Sequence, residues 1–420
     1  MLTLLLPSCG ELPLTHRPPK KIRVVILPKD TDIPFFARIP TIDDRVVITS
    51  SFAANLGSEF LIPVGMKLFY VEALGSANRA IETEFFKYGN IRLFFAIDEQ
   101  HAAQLSNEII DFPHPRPVDL TRLRRPRLIL NKLKVRTNPI FGFKTDNLEV
   151  DVTHLRKDLE ALSGARTVNV DGRDVVIQNR ASVENKSLAR KWLRQEFGRL
   201  GYNVTEHNYG SGINLIAEKA ERSHDSSMLL VTAHLDTVAT SGADDDGSGI
   251  ITMLTIARAL ANKELTQTIR FVAFDEEERG LIGSAAYARN LEQMGEIDRV
   301  TVINLEMTGY DSDDNGDFHA IDCNENSSSD LTQLLLTTIG AMGLPLTKTN
   351  ACTNRSDHAV FWDYDRPAIV LSQNFFGGDG NPCYHRACDT VTKVNFSYMA
   401  NLTKAAANAV YQLATAKAHP

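Results

Sequence analysis

From residue 213 onward the sequence alternates short apolar runs with longer amphipathic ones, and this alternation restricts the fold more than any other feature. Ile213 to Ala217, Met228 to Ala233, Ile269 to Phe274, Val300 to Glu306 and Ala368 to Leu371 read as strands. Stretches from near Ser248 through Ala261, from Gly283 to Met294, from Leu331 to Met342 and from Tyr398 to Ala416 have helical length and spacing. Such alternation predicts an α/β domain: a mostly parallel central sheet with helices on both faces. In sheets of this kind ligands bind outside the carboxyl ends of the strands. The residues that follow each apolar run are therefore the ones to inspect.

Upstream the texture differs. Between residue 10 and about 145, short β-branched runs at Ile22 to Leu27, Val46 to Ser51, Phe60 to Val71 and Ile91 to Ile97 are separated by Pro, Gly and Asp turns. Arg124 to Thr137 reads as one more strand with charged flanks, as an exposed edge would have. The expected division is a β-rich accessory region over 1–145 and a catalytic α/β domain over 146–420. The second opens with helices at Val152 to Leu162 and Arg180 to Leu200, the latter stopping at Gly201 where a helix C-cap belongs. Strands at Val204 to His207 and Ile213 to Ala217 follow.

The net charge of −7 and the lack of a basic stripe argue against a nucleic-acid partner. No apolar run approaches the roughly 20 residues of a membrane span. Leu4-Leu5-Leu6-Pro7-Ser8-Cys9 resembles the end of an export signal with a cysteine for a lipid anchor, but a basic segment before it is missing. Export (periplasmic, extracellular or lipid-anchored) and a cytoplasmic location both stay open, as does oligomeric state. The five cysteines do not suggest a disulfide scaffold, although Cys383 and Cys388 bracket His385 closely enough for a local bridge.

Three strand ends carry the chemistry. The first delivers His234 and Asp236, then the Asp/Gly-rich loop Gly242-Ala-Asp-Asp-Asp-Gly-Ser-Gly with Asp244 as its first aspartate. The second delivers Glu277 and Glu278, and the third Glu306, while His385 sits in a late loop. Taken singly, each has a plainer role. His234 could be a satisfied core histidine, the aspartates a helix N-cap and first turn, and Glu276 to Glu278 a solvated face. Glu306 is harder to dismiss, because a carboxylate ending a buried strand needs a partner or a metal. Together, histidine nitrogen and carboxylate oxygen suit zinc, and two metals sharing a carboxylate is a recurring hydrolytic device.

Over residues 150 to 412 the HLD, GADDDGSG, EEERGLIGS, NLEMTG, RSDH and YHRACDT elements appear in the order found in the M28 zinc peptidases, which the chain resembles. The resemblance implies two zinc ions. One would be held by His234 and Glu306, the other by Glu278 and His385, with Asp244 bridging and a cis peptide between Asp244 and Asp245. It places Glu277 as the general base and implies that Asp236 orients His234 through its second ring nitrogen. Asp357 and His358 match a family element near the site and are expected to support its wall. Glu306 stands where aspartate is commoner among the aminopeptidases, and Thr353 where some carry a tyrosine, leaving Tyr384 as an oxyanion donor. The expected activity is a zinc aminopeptidase acting on peptide substrates. The alternatives are a carboxypeptidase or dipeptidase, a glutaminyl cyclase, and a peptide-binding protein on the same scaffold. Arg279, Arg355 and Arg386 keep the carboxypeptidase alternative alive.

Overall fold

A computed structural model describes residues 147–220 and 227–416 and, before them, segments lying between residues 21 and 118. The export-like start and the expected strand at 124–137 lie outside the described residues.

The first eight strands form two antiparallel four-stranded sheets. Lys21–Pro28 (β1), Ala37–Pro40 (β2), Asp44–Ser50 (β3) and Ser58–Leu61 (β4) are ordered β2-β3-β1-β4. Lys67–Glu72 (β5), Glu84–Tyr88 (β6), Ile91–Ala96 (β7) and Arg116–Pro117 (β8) are ordered β6-β7-β5-β8. Alternation within β5 and β7 explains how the sheets pack. Leu68, Tyr70, Leu93 and Phe95 face a core shared with Ile22, Val24, Val46 and Ile48 of the other sheet. Phe69, Val71, Phe94 and Ala96 face the opposite way, toward Ala102 and Leu105. Successive side chains of a strand point to opposite faces, so Leu68 to Val71 and Leu93 to Ala96 are apolar at every position.

A hairpin of Val168–Val170 (β9) and Arg173–Val175 (β10) precedes the main sheet and was not expected from the sequence. The main sheet contains Asn203–Asn208 (β11), Ile213–Lys219 (β12), Met228–His234 (β13), Thr268–Phe274 (β14), Val300–Glu306 (β15), Asp317–Ile321 (β16), Thr347–Thr349 (β17) and Ala368–Gln373 (β18). Its order is β11-β12-β14-β13-β15-β18-β16-β17. The four central strands β14, β13, β15 and β18 are parallel, as expected. The flanks make the sheet mixed, because β11, β12 and β16 pair antiparallel with their inner neighbours.

Helices cover both faces. Leu229, Val231 and Ala233 share a core with the helices Val152–Leu162, Val183–Arg199, Gly247–Leu260, Ser328–Met342 and Phe396–Thr415. Met228 and Leu230 point the other way, toward Ile282–Gln293 and His358–Trp362. The helix starts are set by their caps: Asp151 accepts from Thr153 and His154, Ser182 from Asn185 and Asn395 from Tyr398, satisfying amides that have no intrahelical partner.

Behind the carboxyl end of β13 lies Arg180, whose side chain is fully buried. It donates to the carbonyls of Leu235 (2.7 Å), Leu162 (3.3 Å), Ser241 (2.9 Å) and Gly242 (2.8 Å). Gly242 has φ +56°, and a Cβ there would meet Thr237 at 2.3 Å and the Asp245 carbonyl at 2.4 Å. Backbone and arginine thus fix the loop between β13 and the next helix. Replacing Arg180 by Met strands those carbonyls and removes the cation behind several buried aspartates. Unfolding free energy is expected to fall by about 3 to 5 kcal/mol. Urea unfolding with an unchanged midpoint would contradict this role.

Candidate metal centre

The parallel strands bring their ends to one edge of the sheet, and the candidate residues gather there. His234, the last residue of β13, is 1% exposed. Its Nε2 lies 3.1 Å from Asp245 Oδ1 and 3.3 Å from Glu306 Oε1, at the end of β15. His385 Nε2 lies 3.0 Å from Asp245 Oδ2 and 3.0 Å from Glu278 Oε2, just beyond β14. One carboxylate therefore stands between two imidazoles, each with a further glutamate of its own.

That carboxylate belongs to Asp245, not Asp244, and this corrects the register expected from the sequence. The Asp244 side chain turns away: Oδ1 accepts from the Gly309 amide at 3.1 Å, and Oδ2 from Gln373 (3.0 Å) and Asn381 (2.8 Å). The cis peptide is likewise one residue later, between Asp245 and Asp246. Asp246 caps the following helix, with Oδ1 accepting from Gly249 and Met307 and Oδ2 from the His234 amide. Three consecutive aspartates thus have three tasks, and composition alone could not tell them apart.

Asp236 also differs from expectation. The nearest acceptor to His234 Nδ1 is the Asp236 backbone oxygen at 3.1 Å, with the carboxylate at 3.6 Å. The carboxylate instead accepts the backbone amides of Glu277 (3.0 Å) and Glu278 (3.2 Å). It therefore fixes the loop that presents both glutamates. Glu276 is drawn aside by Ser211 at 2.6 Å and by Arg279, which leaves Glu277 and Glu278 as the pair directed to the centre.

Several supporting groups gave no clear signal in the sequence. Asp389 accepts the amides of Asp244 (2.9 Å) and Asp245 (3.1 Å), holding the backbone of the central carboxylate. Ser356 donates to Glu306 Oε2 at 2.7 Å and accepts from Asn304 at 2.7 Å, which in turn accepts from Thr232 at 2.6 Å. Asp389 lies inside the quoted YHRACDT element and Ser356 inside RSDH, so position in a motif was the available hint. Asp357 and His358 are fully buried beside the centre. Tyr384 stacks on His385 with ring centroids 3.8 Å apart. The local bridge that the sequence left open, Cys383–Cys388, is present, and a second, Cys323–Cys352, joins the segment before Thr353 to the residues just after β16.

The electrostatics show what the pocket lacks. Burial raises the pKa of Glu277 well above the usual carboxylate range and that of Glu278 to about 7. Burial would lower that of His385, yet Glu278 and Asp245 drive it up to about 10. His234 is likewise raised against its burial, by Glu306 and Glu277. Carboxylates crowd two imidazoles that become cations only by holding protons. Metal cations remove that conflict, because they bind neutral imidazole and ionised carboxylate together. Two imidazole nitrogens and carboxylate oxygens, with one carboxylate offering an oxygen to each side, fit a pair of zinc ions.

Comparison with known proteins agrees with this geometry. Residues 214–410 match the model of Peptidase family M28. Leucine aminopeptidase 2 of Trichophyton rubrum is 31% identical over 223 residues, which are 48% of this chain and 44% of that protein. The chain thus spans less than half of that relative's length. The LapA aminopeptidase of Legionella pneumophila has a similar fold, with a TM-score of 0.65 at 18% identity over 84% of this chain and 100% of that one. A glutaminyl cyclase from Porphyromonas gingivalis matches less of the chain, 64%, with a TM-score of 0.53 at 19% identity over 99% of the cyclase. Family model, fold and paired histidine–carboxylate clusters converge on one region: residues 214–410 are similar to peptidase family M28.

Proposed function

We propose that the protein is a metal-dependent exopeptidase, an aminopeptidase that removes residues from the amino end of peptides. His234 and Glu306 would hold one zinc ion, Glu278 and His385 the other, and Asp245 would bridge them. The observation that carries this reading is the position of Asp245, with one oxygen 3.1 Å from His234 Nε2 and the other 3.0 Å from His385 Nε2. When bound, the metal pair supplies Lewis acidity, which polarises the scissile carbonyl and eases deprotonation of the attacking water.

Glu277 is the general base in this scheme. Its carboxylate takes a proton from water and returns it to the departing amine. Burial favours that work by raising its proton affinity, and Asp236 fixes its backbone. Asp236 is accordingly a positioning residue rather than a chemical participant. A carboxypeptidase or dipeptidase is the second reading, favoured by Arg355, whose charge lies close enough to Tyr384 to act on its hydroxyl beside His385. The two disulfides support an exported location, since such bonds persist in oxidising compartments.

Metal content separates the aspartates. Asp245→Asn is expected to lose zinc from both positions, because the bridging oxygens serve both. Asp244→Asn should keep both ions while losing about 1 to 3 kcal/mol of stability, as an amide nitrogen would face the Gln373 and Asn381 donors. Elemental analysis of the purified variants decides, and loss of zinc in Asp244→Asn alone would return the bridge to that residue.

Glu277→Gln keeps shape but cannot accept a proton. Turnover should fall by ~10² to 10⁴ with zinc retained, whereas Glu278→Gln should release metal on the His385 side. An active Glu277→Gln enzyme with full zinc would refute the assignment.

A free amino terminus should be required. Aminoacyl arylamides and unblocked peptides are expected to turn over, and their N-acetylated counterparts to resist. Release of carboxy-terminal residues from N-blocked peptides would establish the second reading instead, and cyclisation of N-terminal glutamine the cyclase alternative.

A further inference from the structure

Among the described residues, the β-rich region reaches the wall of the candidate centre chiefly through Glu72. Glu72 is the last residue of β5, and its carboxylate oxygen Oε2 accepts from Thr353 Oγ1 at 2.8 Å and from the Asn354 amide at 3.1 Å. Its backbone carbonyl accepts from Arg355 Nη1 at 2.8 Å. Arg116 of the adjacent strand adds a weaker bond to the Asn354 carbonyl at 3.4 Å, an ion pair with Asp363 at 3.6 Å, and a stack 5.2 Å over the Tyr70 ring.

The segment held in this way is not remote from the chemistry. Ser356, one residue beyond Arg355, donates to Glu306 Oε2 at 2.7 Å. The Arg355 charge also acts on Tyr384, which stacks on His385. The front of the segment is tied by Cys352 to Cys323. Glu72 is thus the only one among the named anchors of 352–356 that combines two side-chain bonds and a main-chain bond from the N-terminal region. Its carboxylate is partly withdrawn from water to make them: burial raises its pKa, opposed by Asn354, Thr353 and Arg355. A carboxylate that loses hydration needs charge-assisted bonds in return, and here all of them go to this one segment.

We propose that Glu72 is a positioning residue for the active-site wall 353–356, so that the N-terminal β-rich region sets the placement of Ser356 on Glu306. The region is then a working part of the catalytic unit rather than an appended module. The catalytic consequence rests on the peptidase reading above; the structural one does not.

The test uses the full chain with Glu72→Ala, Glu72→Gln, Thr353→Val and the Glu72→Ala/Thr353→Val pair. Amide hydrogen exchange over 352–357 is measured beside kcat and KM for a leucyl arylamide. Glu72→Ala should accelerate exchange of that segment about tenfold, the scale for losing hydrogen bonds to a charged group, with exchange in Phe396–Thr415 unchanged. It should lower kcat/KM by about the same factor. Glu72→Gln keeps an acceptor oxygen and should recover most of both. Thr353→Val should have a smaller effect, and the pair should be no worse than Glu72→Ala alone, since both act through one contact. Unchanged exchange in Glu72→Ala, additive effects in the pair, or altered exchange with unaltered kinetic constants would overturn the proposal. If Glu72→Ala does not fold, the comparison of Glu72→Gln with Thr353→Val decides by the same criteria. A wild-type chain inactive on every peptide would sink the peptidase reading while leaving the exchange measurement to judge the contact.

Discussion

Asp245, itself buried, offers one oxygen to each of two imidazoles, and most of the surrounding polar structure exists to hold it there. A buried carboxylate is tolerable only where donors or cations face it. His234 and His385 meet that need in front and lower the Asp245 pKa despite its burial. From behind, Asp389 fixes the backbone by accepting two consecutive amides. Arg180 ties down the turn carbonyls of the same loop, and Gly242 supplies the left-handed bend they require. None of these three touches the reacting atoms. Each limits how far Asp245 can move, and a bridging position needs that limit because both sides share one carboxylate.

The parallel sheet makes the convergence possible. β13, β14 and β15 run the same way in neighbouring register, so His234, the Glu277–Glu278 pair and Glu306 emerge at one edge. A row of buried polar side chains then crosses the edge, from Thr232 through Asn304 and Ser356 to Glu306. Such a row is stabilising only when every member is satisfied, and here each of its three bonds is 2.7 Å or shorter. It sets the orientation of Glu306 from the main sheet on one side and from the 353–356 wall on the other.

Much of this was legible because period and spacing report burial. Met228 to Ala233 and Val300 to Glu306 are apolar throughout, as strands covered on both faces must be, and their terminal His and Glu fall where the structure has them. The flanking strand β16 was missed because its five residues follow a polar run and include His319, which gives no strand periodicity. The choice among Asp244, Asp245 and Asp246 failed for a different reason. One peptide step swings a side chain from one set of partners to another, and the donors Gln373 and Asn381, like Asp389 that accepts the backbone amide, lie more than a hundred residues away in sequence. Local pattern carries no information about them. The Glu72 contact was invisible on the same ground, being 281 residues from Thr353.

The balance of charge finally ties the metal pair to the base. Asp245, Asp246, Glu277, Glu278 and Glu306 gather around His234 and His385. Even with both rings protonated, the carboxylates hold the excess, and burial answers by pushing protons onto Glu277 and Glu278. Two divalent cations with neutral imidazoles would absorb all but about one of those negative charges. Asp246 already has backbone amides and a helix N-terminus facing it, and Asp245, Glu278 and Glu306 are the ones directed at the two histidines. Glu277 is the member of this set whose proton affinity burial, Glu306, Glu278 and Asp357 raise together against the pull of His234. On the proposed scheme, that is the residue whose task is to accept a proton.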